Sequence, residues 1–550
     1  MSFLPSSFAK VSLPKIICDD MILQQNSKNA IWGFAKPQES ITLTSSWGEK
    51  ISTQASNSGD WKIMLKTPAY GTGFSITIKG ENEITLKNIA IGEVWLCMGQ
   101  SNMGFSLGTT FHTDEDSAKA NYPNLRIFKS EREHWHVPQK TSRDRLAKWK
   151  PCTPEVARKT SAVSFYFAQK LHLELGIPVG IIQKAYAGTP IEGWMPYNIQ
   201  KNDERTQKEV EIANAKVKPG MYEESLKKYT LDLAEYHKKI DTGNHLLTAT
   251  RNISPPFFLR PATLGHQYPG NIYNGMIAPI VPYGIKGIVW YQGERNSKYA
   301  PQAEHYQNQL PKLINFYRNL WHTESEGATP KNMPFQFTQL PSWHTAQTTP
   351  VEGPEAIWAI NREMMRLVAK EVENTHMATS IDTGDAIDLH PRNKKPIGIR
   401  HAYLALKNTY QKNIIANGPT YVSQTINNKK IVVHFKHIGG GLTSATGAKL
   451  NSFAIAGEDR VWKWADAKIK NNTISLSHHD IANPVAVRYA WAMNPSERNL
   501  LYNTEGLPAS PFRTDSWPLY EASDVEVLVH KPKAPKGYAL KDWKRPTMVQ

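Results

Sequence analysis

The chain has 550 residues, a formal net charge of +16 and three cysteines. A chain of this length is too long to fold around a single hydrophobic core of ordinary size, so we expect about two to four domains. Lysines and arginines are spread along the chain, so the charge does not indicate a nucleic-acid-binding protein. No run of 18 apolar residues occurs, which argues against a membrane span.

The first part of the chain consists of short segments in which apolar and polar residues alternate. Examples are "NAIWGFAKPQESITLTSSW", "GDWKIMLKT" and "NEITLKNIAIG", separated by Gly, Pro or Asn. Alternation with a period of two is typical of strands that have one buried face. The sequence therefore predicts a small antiparallel β domain over residues 1–91.

From residue 92 to residue 418, long helical patterns alternate with wholly apolar strands such as "KGIVWYQ", "PFQFTQL" and "MATSID". This pattern is typical of a parallel sheet with helices on both faces. Helices are predicted over 304–321, 355–373 and 397–412, and a further one, "SAVSFYFAQKLHLELG", should end at Gly176 before the strand "IPVGIIQ". The fold class is thus a doubly wound α/β domain.

An insertion over about 198–269 interrupts this domain. Its apolar residues recur at steps of four and three, which predicts a helix packed on its own domain. They are Tyr222, Leu226, Tyr229, Leu233, Tyr236 and Ile240.

After residue 418 the strand pattern returns, which predicts a second β domain over 419–530. The segment "IKNNTIS" indicates a hairpin centred on Asn471 and Asn472. Residues 531–550 are rich in Lys and Pro and predict an extended basic tail.

The stretch "EVWLCMGQSNMGFSLG" ends an apolar strand abruptly at a polar quartet that contains Ser101 and Asn102. Ligands of doubly wound sheets bind outside the carboxyl ends of the strands, so Ser101 is a candidate nucleophile. Its backbone N–H would lie near a helix N-terminus, which favours negative charge. Ser and Asn are also good helix N-caps, and this stretch alone does not decide between the two roles.

A serine nucleophile needs a base, and "DTGDAIDLHPRNKK" offers His390 after another strand, two residues beyond Asp388. An imidazole can take the hydroxyl proton while a carboxylate fixes its tautomer. The alternatives are a surface histidine or a metal ligand. Further metal ligands at ordered spacing are not apparent, so we expect no metal and no cofactor.

Two more strand ends carry residues suited to stabilise an oxyanion. Gly188 follows a strand in "KAYAGTPIEGW", where a missing side chain lets a backbone N–H approach substrate. Gln292 and Glu294 follow another in "WYQGERN". Four strand ends would thus each carry one part of an acyl-transfer site.

The blocks "GEVWLCMGQSNM", "GIIQKAYAGTPIEGWMP", "YNGMIAPIVPYGIKGIVWYQGERN" and "DAIDLHPRNK" resemble those of the sialate O-acetylesterase family, a branch of the SGNH hydrolases. The segments "LPKIICDDMILQQNSKNAIWGFA" and "NPVAVRYAWAMNP" are similar to its terminal β domains, so the resemblance covers nearly the whole chain. It implies a flavodoxin-like SGNH hydrolase domain flanked by N- and C-terminal antiparallel β domains.

By that resemblance Ser101 is the nucleophile, His390 the base and Asp388 its orienting carboxylate. The Ser101 amide, Gly188 and Gln292 would form the oxyanion hole. The family commonly places the aspartate three residues before the histidine, where this chain has Ile387, so either Asp388 or Asp385 must serve.

Two further departures are Ala187 and Arg295. Ala187 replaces the first glycine of a Gly-Gly pair and bears on the assignment of the oxyanion donors, whereas Arg295 follows "QGE" and suggests an altered substrate rim. A Trp face suits a sugar ring, and an arginine could pair with the carboxylate of a sialic acid. The candidate substrate-binding residues are Asn102, Glu294, Arg295, Trp194 and Trp343.

The implied function is removal of O-acetyl groups from an acetylated carbohydrate through an acetyl-serine intermediate. Deacetylation of xylan or another polysaccharide would use the same residues, and a noncatalytic carbohydrate-binding protein is the alternative of another class. Because the family is mostly exported, we expect a periplasmic or secreted protein, although the start "MSFLPSSFAK" lacks the apolar core of a signal peptide.

Overall fold

A computed structural model describes residues 10–111, 113–241, 265–524, 527 and 533. The N-terminal strands pair antiparallel, except that the first pairs with the seventh in parallel. This agrees with the alternating pattern of the sequence, whose apolar positions form the core. The strands are β1 (Ile22–Gln24), β2 (Lys28–Phe34), β3 (Ser40–Ser45), β4 (Lys50–Gln54), β5 (Asp60–Lys66), β6 (Gly71–Lys79) and β7 (Glu83–Gly99).

Strand β7 is 17 residues long and joins the N-terminal sheet to the central sheet. Its second half, "IGEVWLCMG", is buried throughout because neighbouring strands and helices cover both faces. The strand therefore runs without a break across residue 91. The division of the chain into domains stays a prediction.

Six more strands complete the central sheet, whose order is β13-β12-β11-β7-β10-β8-β9. Neighbours pair in parallel throughout, except that β9 is antiparallel to β8 at one edge. The added strands are β8 (Tyr122–Lys129), β9 (Lys148–Cys152), β10 (Val179–Ala185), β11 (Gly287–Tyr291), β12 (Phe335–Thr338) and β13 (Thr375–Ala378).

The strand order contains the arrangement that the sequence analysis expected, with one addition. Counted along the chain, β7, β10, β11, β12 and β13 lie in the order 2-1-3-4-5, which is the order of flavodoxin-like sheets. Strands β8 and β9 extend this sheet beyond β10, where β8 pairs with β10 in parallel and with β9 in antiparallel.

Helices cover both faces of the sheet, as predicted. Alternate side chains of β7 point to opposite faces of the sheet. Trp95 and Cys97 belong to a buried cluster that includes residues of the fourth and ninth helices of the chain. Leu96 and Met98 belong to another cluster, which includes residues of the seventh and eighth helices. The helices are α1 (Ser101–Gly104), α2 (Thr113–Ala118), α3 (Pro154–Lys159), α4 (Ala162–Leu175), α5 (Glu204–Asn214), α6 (Met221–Asp241), α7 (Ala300–Glu324), α8 (Ile357–Glu371) and α9 (Lys395–Asn408).

The positions of these helices confirm the sequence patterns. Helix α4 ends at Gly176, which adopts a left-handed conformation with φ of 69°. Helix α6 carries the apolar stripe of the insertion, and residues 242–264 of that insertion lie outside the described residues. Short 3-10 segments span Leu107–Thr109, Ile191–Trp194, Tyr197–Ile199, Ala278–Ile280, Glu294–Asn296 and Ala522–Asp524, and a π-helical turn spans Tyr273–Ile277.

The C-terminal strands are all antiparallel and form two four-stranded sheets and one two-stranded sheet. The predicted hairpin is confirmed, because Asn471 and Asn472 have φ of 48° and 59° between two paired strands. The strands are β14 (Thr420–Asn427), β15 (Lys430–Lys436), β16 (Leu442–Ser444), β17 (Phe453–Ala456), β18 (Lys463–Trp464), β19 (Asp466–Lys470), β20 (Thr473–Ser477), β21 (Ala486–Tyr489), β22 (Leu501–Asn503) and β23 (Phe512–Arg513).

The predicted basic tail, 531–550, lies outside the described residues except for position 533. Within the described ranges, no helix combines the length and the apolar character needed to cross a membrane.

Candidate active site

The candidate residues follow four strands of the central sheet. Ser101 follows β7, Gly188 follows β10, Gln292 follows β11 and His390 follows β13. Because these strands are parallel, their carboxyl ends lie at one edge of the sheet. The three central strands, β10, β7 and β11, are direct neighbours.

The turn that presents Ser101 depends on Gly99. This glycine has φ of 149°, and a Cβ at this position would lie 2.1 Å from the carbonyl oxygen of Tyr291 on β11. No other residue fits there without moving a strand. Helix α1 then begins at Ser101 with Gln100 as its N-cap residue. The N-cap interpretation of Ser101 is therefore wrong.

The hydroxyl of Ser101 lies 2.9 Å from Nε2 of His390, although the two residues are 289 positions apart. Nδ1 of His390 lies 3.4 Å from Oδ1 of Asp388, which also accepts the backbone N–H of His390 at 2.8 Å. Burial alone would raise the pKa of Asp388, but the hydrogen bonds from His390 outweigh it and the pKa is lowered. Asp388 is thus held as a carboxylate beside the imidazole.

Asp385, the other candidate carboxylate, does a different task. Its Oδ1 accepts the backbone N–H groups of Ile387 and Asp388 at 2.8 and 2.9 Å. These two bonds shape the loop that presents Asp388. Of the two aspartates, the structure brings Asp388 beside the imidazole.

Gly188 and Gln292 lie in adjoining loops. Gly188 has φ of 70°, in the left-handed region, and its carbonyl accepts Nε2 of Gln267 at 3.0 Å. Gln292 is buried, and its Nε2 donates to the Thr189 carbonyl at 3.1 Å and to Asn296 at 2.7 Å. Both amide hydrogens of Gln292 are thereby used within the protein, so its side chain fixes the loop that carries Gly188.

Asn102 and Glu294 are buried and contact each other beside the serine. The Asn102 Nδ2 group donates to Oε1 of Glu294 and, at 3.0 Å, to the carbonyl of Leu389, which precedes His390. The Asn102 Oδ1 atom accepts a hydrogen bond from Nζ of Lys394. These two candidate substrate-binding residues therefore connect the loops of the site.

Burial strongly affects the two charged groups of this network. It lowers the pKa of Lys394 to about 7, although Glu294 and Asp388 act in the opposite direction. Burial also raises the pKa of Glu294, against the effect of its hydrogen bond with Asn102. The Lys394 ammonium lies 5.1 Å from the ring centre of Phe105.

The two candidate tryptophans are in the core. Trp194 is fully buried, donates to Thr189 Oγ1 at 3.0 Å and packs edge-on against Trp290. Trp343 is 7% exposed and packs against Trp358 with ring centres 4.9 Å apart. Neither ring offers an exposed face to a sugar, because each is buried against another aromatic side chain.

Arg295 is half-buried at the rim of the site. Its Nη2 donates to Oε1 of Gln267 at 3.0 Å, and Gln267 in turn holds the Gly188 carbonyl. Arg295 also lines a recess of about 400 Å³ together with Lys216, His266 and Glu209. A recess lined by charged groups of both signs thus lies next to the loop of Gly188.

Among the described residues, one group has the ligands and spacing to hold a metal ion: His478, His479 and Asp480. It lies in the turn that follows β20 of the C-terminal strands, not in the loops that carry Ser101 and His390.

Sequence reasoning missed Lys394, which stands in the basic run "HPRNKK" and resembles a surface residue. It is the N-cap residue of α9, where a cation is unfavourable next to the positive end of the helix dipole. The sequence pattern, which predicts this helix from residue 397, does not reveal that position. Phe105, which stacks on the His390 ring at 6.4 Å, carried no signal of its own.

Comparison with known proteins places this geometry in a family. The family model described as carbohydrate esterase, sialic acid-specific acetylesterase, matches residues 91–231 and 265–404. Sialate O-acetylesterase of Mus musculus is 28% identical over 535 residues, which cover 90% of this chain and 92% of the mouse protein. The Homo sapiens protein of that name is 26% identical over 90% of this chain and 91% of its own length.

A solved structure is similar over most of the chain. The crystal structure of a carbohydrate acetylesterase from Xanthomonas citri superimposes with a TM-score of 0.74 at 28% identity, covering 92% of this chain and 100% of that one. The family model spans both segments that bring Ser101 and His390 together. The chain therefore belongs to the carbohydrate esterase family of sialic acid-specific acetylesterases and is a carbohydrate O-acetylesterase.

Proposed function

We propose that the chain removes O-acetyl groups from sialic acids by an acetyl-serine mechanism of the SGNH hydrolase type. The observation that carries this proposal is the 2.9 Å contact between Ser101 Oγ and His390 Nε2, with Asp388 on the other side of the imidazole. An imidazole that lies between a hydroxyl and a carboxylate can activate the hydroxyl as a nucleophile without a metal ion.

In the first step His390 takes the proton of Ser101, whose oxygen attacks the acetyl carbonyl carbon. The tetrahedral intermediate collapses when the sugar oxygen leaves with the proton that His390 carries. Water then gives a proton to His390 and attacks the acetyl-serine. The second tetrahedral intermediate collapses as His390 returns this proton to Ser101 Oγ, which releases acetic acid and restores the serine. Asp388 holds the imidazole in orientation and stabilises its charged form.

The backbone N–H groups of Ser101 and Gly188 are the oxyanion donors in this proposal. Gln292 contributes through its bond to the Thr189 carbonyl, which fixes the loop of Gly188. Donors held in place before the reaction stabilise developing charge without reorganisation.

The sialic acid part of the proposal rests on two observations. The similar mouse and human proteins are named sialate O-acetylesterases. Arg295 and Lys216 line the recess beside the site together with one acidic residue, Glu209, and the guanidinium and the ammonium suit the carboxylate of an acidic sugar. A location outside the cytoplasm stays a prediction.

The test is hydrolysis of an aryl acetate by the wild type and by Ser101→Ala, followed by acetate release from acetylated sialic acids and acetylated xylan oligomers. We expect Ser101→Ala to lose at least about 1,000-fold in kcat, because it removes the nucleophile. Equal rates would contradict the serine mechanism and favour a carbohydrate-binding protein. Preference for xylan oligomers would contradict the sialate assignment alone.

A further inference from the structure

The side chain of Asn102 bridges the two loops that carry the reacting groups. It directly follows Ser101, and its Nδ2 donates at 3.0 Å to the carbonyl of Leu389, the residue before His390. One amide group thus connects the nucleophile turn to the base loop, one residue away from each reacting side chain. The other loop of the network is that of Glu294, whose Oε1 also accepts from Nδ2.

An asparagine amide can rotate by half a turn and exchange its oxygen and nitrogen. With the two atoms exchanged, Oδ1 would face the Leu389 carbonyl, and the bridge between the loops would be lost. The orientation of Asn102 is therefore essential for the bridge.

Lys394 and Glu294 fix that orientation from opposite sides. The side chain of Lys394 donates to Oδ1 of Asn102, and in its charged form it can only donate. Oε1 of Glu294 accepts from Nδ2, and in its charged form the carboxylate can only accept. Lys394 is fully buried and Glu294 is 8% exposed, so water does not compete freely for these contacts.

The ammonium of Lys394 is also held in position by aromatic rings. Its Nζ lies 5.1 Å from the ring centre of Phe105 and 5.4 Å from that of Tyr291. Phe105 stacks in turn on the imidazole of His390, with an interplanar angle of 18°. Lys394 is therefore connected to His390 through Asn102 and Leu389 on one route and through Phe105 on another.

We propose that Lys394 is a positioning residue of the esterase, which orients the Asn102 amide and thereby holds the loop of His390 against Ser101. This inference rests on the proposed serine mechanism. Lys394 does not contact the reacting atoms in this role. Its loss should leave the nucleophile and the base present but misaligned, and a displacement of about 1 Å can reduce a rate about 100-fold.

The test replaces Lys394 by methionine and measures kcat and KM for an aryl acetate, together with the rate at which an alkyl phosphonofluoridate labels Ser101. We expect kcat and the labelling rate to fall about 10- to 100-fold, with KM changed less than about threefold. The matched control is Lys184→Met, which removes another fully buried lysine, one that bonds to Ser130 instead of the nucleophile turn. We expect this control to stay within about threefold of the wild-type kcat.

Two further variants keep the test independent of folding defects. Asn102→Asp keeps the size of the side chain and an oxygen for Lys394, but it loses the donor to Leu389, so we expect a similar loss of kcat. In Lys394→Met/Asn102→Ala the two effects should not multiply, because both act through one amide. Wild-type kcat in Lys394→Met, or multiplicative effects in the double variant, would overturn the proposal. If Ser101→Ala itself stayed active, the serine mechanism would fail, which is a distinguishable result.

Discussion

The hydroxyl of Ser101 meets Nε2 of His390 at 2.9 Å across 289 positions of the chain. The two residues follow β7 and β13, which are separated in the sheet by β11 and β12. The long loop after β13 therefore has to return toward the centre of the sheet. Asp385 shapes that loop through its bonds to two backbone N–H groups, and Asp388 faces the imidazole within it.

This arrangement predicts different effects for the two aspartates. Asp388→Asn should lower kcat by about 10- to 1,000-fold, because an amide neither supports the charged imidazole nor fixes its tautomer. Asp385→Asn keeps an oxygen that can accept both N–H groups, so its kcat should stay within about threefold of the wild type. Steady-state hydrolysis of an aryl acetate measures both. A larger loss in Asp385→Asn would assign the supporting carboxylate to Asp385.

Gln292 should stabilise the folded protein, because its side chain bonds to buried groups of neighbouring loops. Gln292→Leu leaves the Thr189 carbonyl without its side-chain donor. It also removes one bond each from Asn296 and Tyr306, which keep their bonds to the Ile191 N–H and the residue 292 backbone carbonyl. Each buried polar group left unsatisfied costs about 1–3 kcal/mol, so the free energy of unfolding in urea should fall by at least that amount. Gln302→Leu, which loses one bond to a backbone N–H, is the control. A fall in kcat with unchanged stability would instead indicate that Gln292 donates directly to the oxyanion.

Arg295 should determine the preference for acidic substrates. Arg295→Ala removes the guanidinium from the recess beside Gly188 and should lower the ratio of kcat/KM for acetylated sialic acid over a neutral acetylated sugar by about 10-fold, the effect of about 1.4 kcal/mol. Lys298→Ala, at an exposed lysine three positions further on, is the charge-matched control. An unchanged ratio in Arg295→Ala would refute this role.

The burial of His401 should make the free energy of unfolding depend on pH. It is fully buried between Thr338 and Gln336, and burial lowers its pKa to about 3. The unfolded chain, with a histidine pKa of about 6.5, binds the proton first, so stability is complete above pH 6.5 and is lost as the pH falls toward 3. The slope from this group is about 1.4 kcal/mol per pH unit.

Urea unfolding at several pH values between about 5 and 7 measures this slope. We expect His401→Gln to reduce the slope of stability against pH by an amount that corresponds to the uptake of about one proton on unfolding. The same slope in wild type and variant would assign the pH dependence to other groups, such as His376, whose pKa burial lowers to about 4.

The sequence by itself determined where the elements lie and which strand ends carry polar residues. Its apolar periods indicate which face of each helix or strand is buried. These local patterns predicted the apolar second half of β7, the helix that ends at Gly176 and the Asn471–Asn472 hairpin. Ser101 and His390 could be predicted because each stands in a polar segment after a recognisable strand, Ser101 in the turn after β7 and His390 in the long loop after β13.

Only the tertiary structure decided how the side chains of different strand ends meet. It placed Asp388 at the imidazole and Asp385 on backbone N–H groups, and it buried Trp194 and Lys394. These outcomes depend on sheet order, on register and on the path of loops that join residues hundreds of positions apart. The periodicity of apolar residues carries no information on such contacts, because it reflects only neighbours a few residues apart in the chain.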